Sequence, residues 1–222
     1  MAATSAAMGD VIDLTGSAFQ EAASATNANG ITASDVFGYN SGVWHVSIPS
    51  ASASGFAGVT LSDEGQGSIF LQGGAAINGT AGVFAAVKID ATQIGNTTPV
   101  SLNFDCVKSS GWSGTTSDTF EVTVQFIAYN ESGESIGETK TWTQTVDCTT
   151  STGTLASGVK MALDLTGEYD SYGIILSASR DGGKGGAVVQ LENLTLVTTP
   201  EPTTATLSLL ALAGLCARRR RK

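Results

Sequence analysis

The chain has little charge, few aromatic side chains, few prolines and almost no histidine. Only 14% of its 222 residues are charged and 7% are aromatic, and it contains four prolines, three cysteines and one histidine. Helical cytoplasmic enzymes use far more Glu, Lys and Arg, so the composition argues against that class. With a single histidine, His45, and no Cys-x-x-Cys spacing, the chain also lacks the usual zinc ligands. We therefore expect no cofactor and no zinc site, and we name no residue as a metal ligand. A structural Ca²⁺, which takes six to eight oxygen ligands, stays an open alternative.

Basic residues are scarce outside one segment. The formal net charge is −9, and five of the 11 Lys and Arg residues are the last five residues of the chain. The acidic excess of the remainder is therefore larger than the net charge indicates. A surface of that sign repels phosphate, so we expect no nucleic-acid partner.

Glycine, serine and threonine are abundant, and they separate short runs of alternating apolar residues. Within residues 119–129, Phe120, Val122, Val124 and Phe126 share one face. This period of two predicts half-buried antiparallel strands. We predict further strands at residues 43–48, 56–61, 68–71, 83–89, 100–107, 137–146, 159–165, 172–179 and 187–197.

About ten short strands without an intervening linker predict one domain over residues 10–197. The fold class is all-β, an antiparallel two-sheet sandwich that is jelly-roll-like. Residues 20–28 are a weak helical candidate because they lack an apolar face. Residues 1–9 are either the small-residue remnant of an export signal or a disordered N-terminus. In the first case the true start of the protein lies upstream.

The last residues of the chain combine three different physical elements. Two prolines, Pro200 and Pro202, flank Glu201 and separate the body from the remainder of the tail. Residues 203–217 are uncharged and predict a short hydrophobic helix of about 22 Å, less than the hydrocarbon thickness of a bilayer. A cluster of cations then ends the chain: Arg218, Arg219, Arg220, Arg221 and Lys222. Such clusters stay on the cytoplasmic side of a membrane, which places the acidic body outside.

This tail, residues 198–222, resembles the PEP-CTERM sorting signal of bacteria that possess an exosortase. The resemblance implies that the protein is exported and held transiently in the inner membrane. It further implies cleavage near Pro200-Glu201-Pro202 by an exosortase-type processing enzyme, with the body in the periplasm, at the cell surface or outside the cell. In that family the proteins are often associated with extracellular polysaccharide.

The closing strand of the body resembles that of carbohydrate-binding jelly rolls, which commonly end in a pattern of aliphatic, Asp, Asn and aliphatic residues. Leu191-Glu192-Asn193-Leu194 matches it, except that Glu192 stands in place of Asp. Sugar binding uses exposed aromatic faces. We place Trp112 first and Trp142 second as candidate ligand-binding residues, because Trp112 lies in a Gly and Ser segment and Trp142 on a strand with two polar faces. Trp44 is a core residue by its phase.

Cys106 and Cys148 are the two cysteines of the body, and each is in phase with apolar neighbours. If they pair in an oxidising compartment, they close a loop of about 40 residues and contribute about 4 kcal/mol in the chain-entropy model. Two separate buried thiols are the alternative. Cys216 belongs to the tail and is lost on processing.

Together these features predict a non-catalytic exported surface or extracellular-matrix protein that binds polysaccharide. Two other functions remain open. One is a jelly-roll glycan hydrolase, which needs two carboxylates facing each other across a groove. The other is a ligand-free structural scaffold or adhesin.

Overall fold

The structure, a computed structural model, describes residues 10–21, 30–48, 55–62, 66–73, 82–112, 118–179 and 185–199. Within these ranges the chain forms strands, one short α-helix, α1 (Ala33–Phe37), and a 3₁₀ turn (Ala91–Ile94). The strands are β1 (Val11–Asp13), β2 (Gln20–Glu21), β3 (Val43–Ser47), β4 (Phe56–Thr60), β5 (Ser68–Gly73), β6 (Val83–Asp90), β7 (Pro99–Gly111), β8 (Thr119–Tyr129), β9 (Lys140–Asp147), β10 (Gly153–Ala162), β11 (Ser171–Ser179) and β12 (Ala187–Thr198).

The strands form two six-stranded sheets that pack face to face. Sheet A has the order β10-β7-β12-β5-β4, and β1 pairs with the last part of β12. Sheet B has the order β2-β3-β6-β11-β8-β9. The pairs are antiparallel except for the short β2–β3 pair. The predicted all-β sandwich is confirmed.

The core lies between the two sheets and is built by the alternation that the sequence shows. On β8, Phe120, Val122 and Val124 are buried, and they face the interior together with residues of sheet A such as Leu71 and Leu102. Trp44 is fully buried, and its indole N–H donates to the carbonyl oxygen of Leu14 at 2.9 Å. The prediction that Trp44 is a core residue is therefore confirmed.

A second, smaller cluster covers part of the outer surface of sheet B. Helix α1 begins with a capping box in which Thr32 and Asp35 exchange hydrogen bonds. Its Val36 packs on residues of three strands, among them Ile175 and Tyr129. The hydroxyl of Tyr129 donates to the carbonyl oxygen of Ala33 at 2.8 Å. The helix thus removes this part of sheet B from solvent.

Strand β10 begins six residues before the predicted start at residue 159. Its register against β7 shifts twice between Thr154 and Val159, and Gly158 has a φ of 62°. These irregularities break the alternation that a sequence pattern depends on. Asp105 of β7 holds the irregular segment, because its carboxylate accepts the N–H of Gly158 at 2.6 Å and the side-chain amide of Asn193 at 2.7 Å.

One cationic side chain, that of Lys108, lies inside the sandwich near the last residues of β7. The side chain of Lys108 is only 2% exposed, and its Nζ donates to Oδ1 of Asp147 at 2.6 Å and to the hydroxyl of Thr149 at 3.2 Å. This ion pair joins β7 of sheet A to the end of β9 of sheet B. It also lies next to Gly111, the residue that precedes Trp112.

Several predictions fall wholly or partly beyond the described ranges, among them the one for residues 1–9. The weak helix at residues 20–28 is wrong at its first two residues, which form β2, and residues 22–28 are outside the described ranges. The short hydrophobic helix of the tail lies outside them as well. Among the residues that the structure describes, no helix is long and apolar enough to cross a membrane.

Candidate functional site

The outer surface of sheet A carries aromatic side chains near the end where β12 begins. Side chains alternate along each strand, and the inward set is buried, for example Ala57 on β4, Leu71 on β5 and Val189 on β12. The intervening residues therefore face outward. We name the outward-facing group at this end the aromatic face, and its members are Phe56, Phe70, Gln72, Trp112, Val188 and Gln190.

Phe56 is the most exposed aromatic member, with 50% of its surface accessible. It lies opposite Gln72 of β5, while Phe70 of β5 lies opposite Gly58. The ring of Phe56 leans over Gly58, where a Cβ atom would be 3.0 Å from its Cζ. The glycine thus lets the ring lie along the sheet next to Phe70. Gln190 pairs with Phe70 on the other side and supplies an amide beside the two rings.

Trp112 follows β7 and is held by the residue before β12. Its backbone N–H donates to the carbonyl oxygen of Gly186 at 2.9 Å. Its ring lies directly on Gly186, where a Cβ atom would be 2.1 Å from Cζ2. With 42% of its surface exposed, Trp112 turns the opposite side of the ring to solvent.

The aromatic face is wide enough for an extended ligand. Trp112 directly follows β7 and Phe56 begins β4, and these strands are three strand spacings apart in the order β7-β12-β5-β4. At about 4.8 Å per spacing, the two residues are about 14 Å apart across the strands. In the strand order Phe70 of β5 lies between them, at the level of Gln190, so a chain of several sugar rings can touch more than one aromatic side chain.

The structure separates Trp142 from Trp112. Trp142 lies on β9 of sheet B and pairs with Val124, an inward-facing residue. Its ring is half-buried and meets Phe104 of sheet A edge-on, with ring centroids 5.0 Å apart. Trp142 therefore packs at the margin of the core, and the sequence-predicted pair of tryptophans does not form one surface.

Sequence reasoning missed Phe56 and Phe70 as members of the site. The signal was present in part, because Phe56 stands out of phase with Ala57 and Val59, which are the inward pair on β4. An outward-facing phenylalanine on a strand is exposed unless something covers it. Only the strand order brings it to the same face as Trp112.

Cys106 and Cys148 are both buried in the core cluster between the sheets. Burial raises the pKa of the Cys106 thiol to about 12, because the thiolate would lose its hydration. A thiol of that pKa is a poor nucleophile at neutral pH. The pairing of the two cysteines stays a prediction.

His45 is half-buried on the outer surface of sheet B. Its ring stacks on Tyr39 with a centroid distance of 3.8 Å, and burial lowers the pKa of the imidazole.

A Gly-x-Ser-x-Gly spacing occurs at residues 133–137, but it lies in the turn between β8 and β9. A nucleophile elbow needs a turn from a strand into a helix, so this serine is not in that context.

A separate cleft of about 530 Å³ opens at the other end of the sandwich. Its lining includes Glu131, Glu168, Asp170 and Tyr169, together with Thr98 just before β7. The three carboxylates belong to two different loops, one after β8 and one after β10. Within the described ranges, no group of three or more His, Cys, Asp or Glu side chains is arranged to hold a metal ion.

Comparison with known proteins confirms the nature of the tail. Residues 198–222 match the PEP-CTERM protein-sorting motif. The motif indicates a secreted protein that is processed at the membrane. The sorting residues predicted from the sequence, Pro200 to Pro202 and Arg218 to Lys222, lie outside the described part of the structure. No curated protein matches the chain.

Carbohydrate-binding modules of the jelly-roll type are among the structural neighbours of the body. A CBM22-1 xylan-binding domain from Paenibacillus barcinonensis matches with 11% identity and a TM-score of 0.40, covering 88% of this chain and 98% of the domain. A family 11 carbohydrate-binding module from Clostridium thermocellum matches with 11% identity and a TM-score of 0.37, covering 67% and 86%.

The enzymatically active domain of tailspike protein 4 from bacteriophage CBA120 is another structural neighbour. It matches with 12% identity and a TM-score of 0.38, and the match covers 77% of this chain. The chain spans only 21% of the length of that domain. Overlaps as loose as these three say nothing about the ligand or the chemistry of this protein.

Proposed function

We propose that the protein is a non-catalytic surface or extracellular-matrix protein that binds a neutral polysaccharide on its aromatic face. The observation that carries the proposal is the joint exposure of Phe56 and Trp112 on one sheet surface, with Phe70 on a strand between theirs. Exposed aromatic rings gathered on one sheet surface are the kind of apolar patch that marks a binding site. A secreted protein meets glycan chains outside the cell.

The chemistry of the aromatic face fits an uncharged sugar chain. Its six members are aromatic, aliphatic or amide side chains, and none carries a charge. Rings of Phe56 and Trp112 can stack on the apolar face of a sugar ring. The amide of Gln190 can then donate to and accept from sugar hydroxyls. An anionic glycan would need cations that these six residues do not supply.

The magnitude of each aromatic contact follows from the exposed area. An aromatic side chain has a surface of about 200 Å², so a half-exposed ring offers about 100 Å². A sugar ring covers about half of that exposed area, which buries about 50 Å² and contributes about 1.3 kcal/mol at 25 cal/mol per Å². Loss of one ring should therefore weaken binding about tenfold.

Affinity electrophoresis in gels containing neutral polysaccharides tests the proposal. Trp112→Ala and Phe56→Ala should each lose about tenfold in affinity on the polysaccharide that retards the parent protein. Val11→Ala is the matched control, because Val11 is an exposed apolar residue of sheet A outside the aromatic face. Equal retardation of the parent, both aromatic variants and the control would refute the assignment. If no polysaccharide retards the parent, a ligand-free scaffold or adhesin is the better account.

The cleft at the other end of the sandwich favours one alternative, a glycan hydrolase. It brings Glu131, Glu168 and Asp170 to one hollow beside Tyr169. Paired carboxylates that flank a sugar are the catalytic groups of most glycosidases. Release of reducing sugar by the parent, abolished by Glu131→Gln or Glu168→Gln, would support the hydrolase and exclude the non-catalytic proposal.

The processing enzyme and the inner membrane are the proposed partners of the tail. The terminal cluster Arg218 to Lys222 supplies the topological bias, since short basic segments stay in the cytoplasm. Replacing these five residues with serine should abolish stable anchoring or the correct orientation of the body. Protease protection in spheroplasts measures this, and an unchanged topology would contradict it.

A further inference from the structure

Both described ends of the body leave from the same end of sheet A. Strand β12 ends at Thr198, whose backbone N–H donates to the carbonyl oxygen of Asp10 at 3.0 Å. The N–H of Thr199 donates to the carbonyl oxygen of Thr98 at 2.8 Å. We name this end, formed by Asp10, Val11, Thr98, Val100 and Thr199, the proximal end.

The sorting motif begins inside the last strand, so almost no free chain separates it from the body. The match starts at residue 198, and the uncharged run of the tail starts at Thr203. Four peptide steps join Thr199 to Thr203. They span at most about 14 Å when fully extended, which limits how far the proximal end can move from the start of the uncharged run.

Exposed apolar side chains divide between the two ends of sheet A. Among the described residues, four large hydrophobic side chains are exposed, and two of them, Phe56 and Trp112, belong to the aromatic face. The other two are Val11, 63% exposed, and Val100, 39% exposed, at the proximal end. The strand register places Val11 and Val100 at the same end of sheet A, because Val11 pairs with Val197 and Val197 pairs with Ser101, the residue after Val100.

We propose that the proximal end rests on the lipid surface of the membrane before processing, with Val11 and Val100 at the interface. The aromatic face then lies on the outer surface of sheet A at the end farther from the bilayer. Strand β12 runs from one end to the other over 12 residues, a distance of about 35 Å. The inference depends on the tail holding the precursor in the membrane and is independent of any glycan.

Depth-dependent fluorescence quenching tests this orientation on the full chain. The parent for labelling carries Cys216→Ser, and the buried Cys106 and Cys148 are expected not to react in the folded protein. Single cysteines are introduced at three exposed positions that lie at increasing distance from the proximal end along the strands: Val11→Cys, Lys160→Cys and Ser109→Cys. Each variant is labelled with an environment-sensitive fluorophore and reconstituted in vesicles of phosphatidylcholine and phosphatidylglycerol that contain doxyl-labelled lipid.

The three levels follow from the strand register. Val11 pairs with Val197, Lys160 pairs with Asn103 at the level of Thr195, and Ser109 lies beside Val188 near the start of β12. Quenching should be strongest at Val11→Cys, weaker at Lys160→Cys and absent at Ser109→Cys. Equal quenching at positions 11 and 109, or none at position 11, would overturn the proposal.

Two further variants separate the causes. A label at Leu207→Cys, in the uncharged run, must be quenched. If it is not quenched, the tail does not enter the bilayer, and the proposal is overturned. Insertion of 15 Gly and Ser residues after Thr199 adds about 20 Å of flexible reach. Quenching at Val11→Cys should then fall, while quenching at Leu207→Cys should persist. Retention on glycan gels is measured separately, so failure here leaves the binding proposal intact.

Discussion

Gly186 determines where the ring of Trp112 lies, and a single methyl group there should displace it. A Cβ atom at Gly186 would be 2.1 Å from Cζ2 and 2.5 Å from Cε2 of Trp112, and 2.6 Å from the carbonyl oxygen of Gly73. Carbon atoms in contact are 3.5 to 4.0 Å apart, so the ring must move by more than about 1 Å. Gly186→Ala should therefore remove most of the ring contact with a glycan.

The expected loss of affinity is that of Trp112→Ala, about tenfold, because the displaced ring no longer lies flat beside the sheet. Some loss of stability should accompany it, since the carbonyl of Gly73 is backbone and cannot rotate away. Affinity electrophoresis measures the first effect and thermal unfolding the second. Gly38→Ala is the control, because Gly38 has a φ of −75° and its Cβ would meet only the carbonyl oxygen of Asp35 at 3.4 Å.

A double variant tests whether Gly186 acts on binding through the ring of Trp112. If Gly186 acts through the ring, Gly186→Ala should have no further effect on affinity in the Trp112→Ala background. Additive losses would show that the methyl group disturbs the face by another route. Unchanged affinity of the single variant Gly186→Ala, with Trp112→Ala impaired, would show that the position of the ring does not matter.

Three further predictions concern stability and redox state. Hydrogen bonds lower the pKa of Asp147, chiefly that from Lys108, so its stabilising effect is full above about pH 4 and is lost as pH falls through the lowered pKa. Asp147→Asn should lower the free energy of unfolding at pH 7 by about 1 to 2 kcal/mol, a small effect because Asp147 is half-exposed and solvent screens the ion pair. In urea titrations at several pH values, the stability of the variant should also fall less steeply with acid pH than that of the parent. Asp105→Ala should cost a similar amount, because the backbone N–H of Gly158 loses the carboxylate that accepts it, and it should likewise weaken the dependence of stability on acid pH. Identical unfolding curves of the variant and the parent would contradict this. If Cys106 and Cys148 pair, alkylation of the denatured mature protein without reductant should label neither, and two labelled thiols would show that no bridge exists.

The strands that the sequence predicts well are those with an unbroken alternation. Strand β8 matches its predicted bounds because every second residue from Phe120 is apolar and buried. Strand β10 does not, because Gly158 breaks the phase and Asp105, far away in sequence, stabilises the broken segment. Helix α1 is too short for periodicity to reveal and is defined by its capping residues.

The candidate site was only partly predictable, for a different reason. Its aromatic residues come from positions 56, 70 and 112, and they share one sheet surface because β12 enters sheet A between β7 and β5. Local pattern cannot give strand order. Trp142 shows the complementary problem, since both faces of β9 are polar and only packing decides which one turns inward. The face of β9 that turns inward is the one whose Trp142 ring packs edge-on against Phe104 of sheet A.

Strand β12 unites the two ends of sheet A. It pairs with β7 on both sides of a register shift between Glu192 and Thr195, with β5 over its first half and with β1 over its last residues. The last backbone hydrogen bond described for this part of the chain is that of Thr199 to Thr98. Removal of the chain beyond Thr199 therefore costs the described body none of its strand pairing. Sorting by the tail and the proposed binding by the aromatic face can then be separate events, because the body without its tail keeps β12, the strand in the middle of the aromatic face.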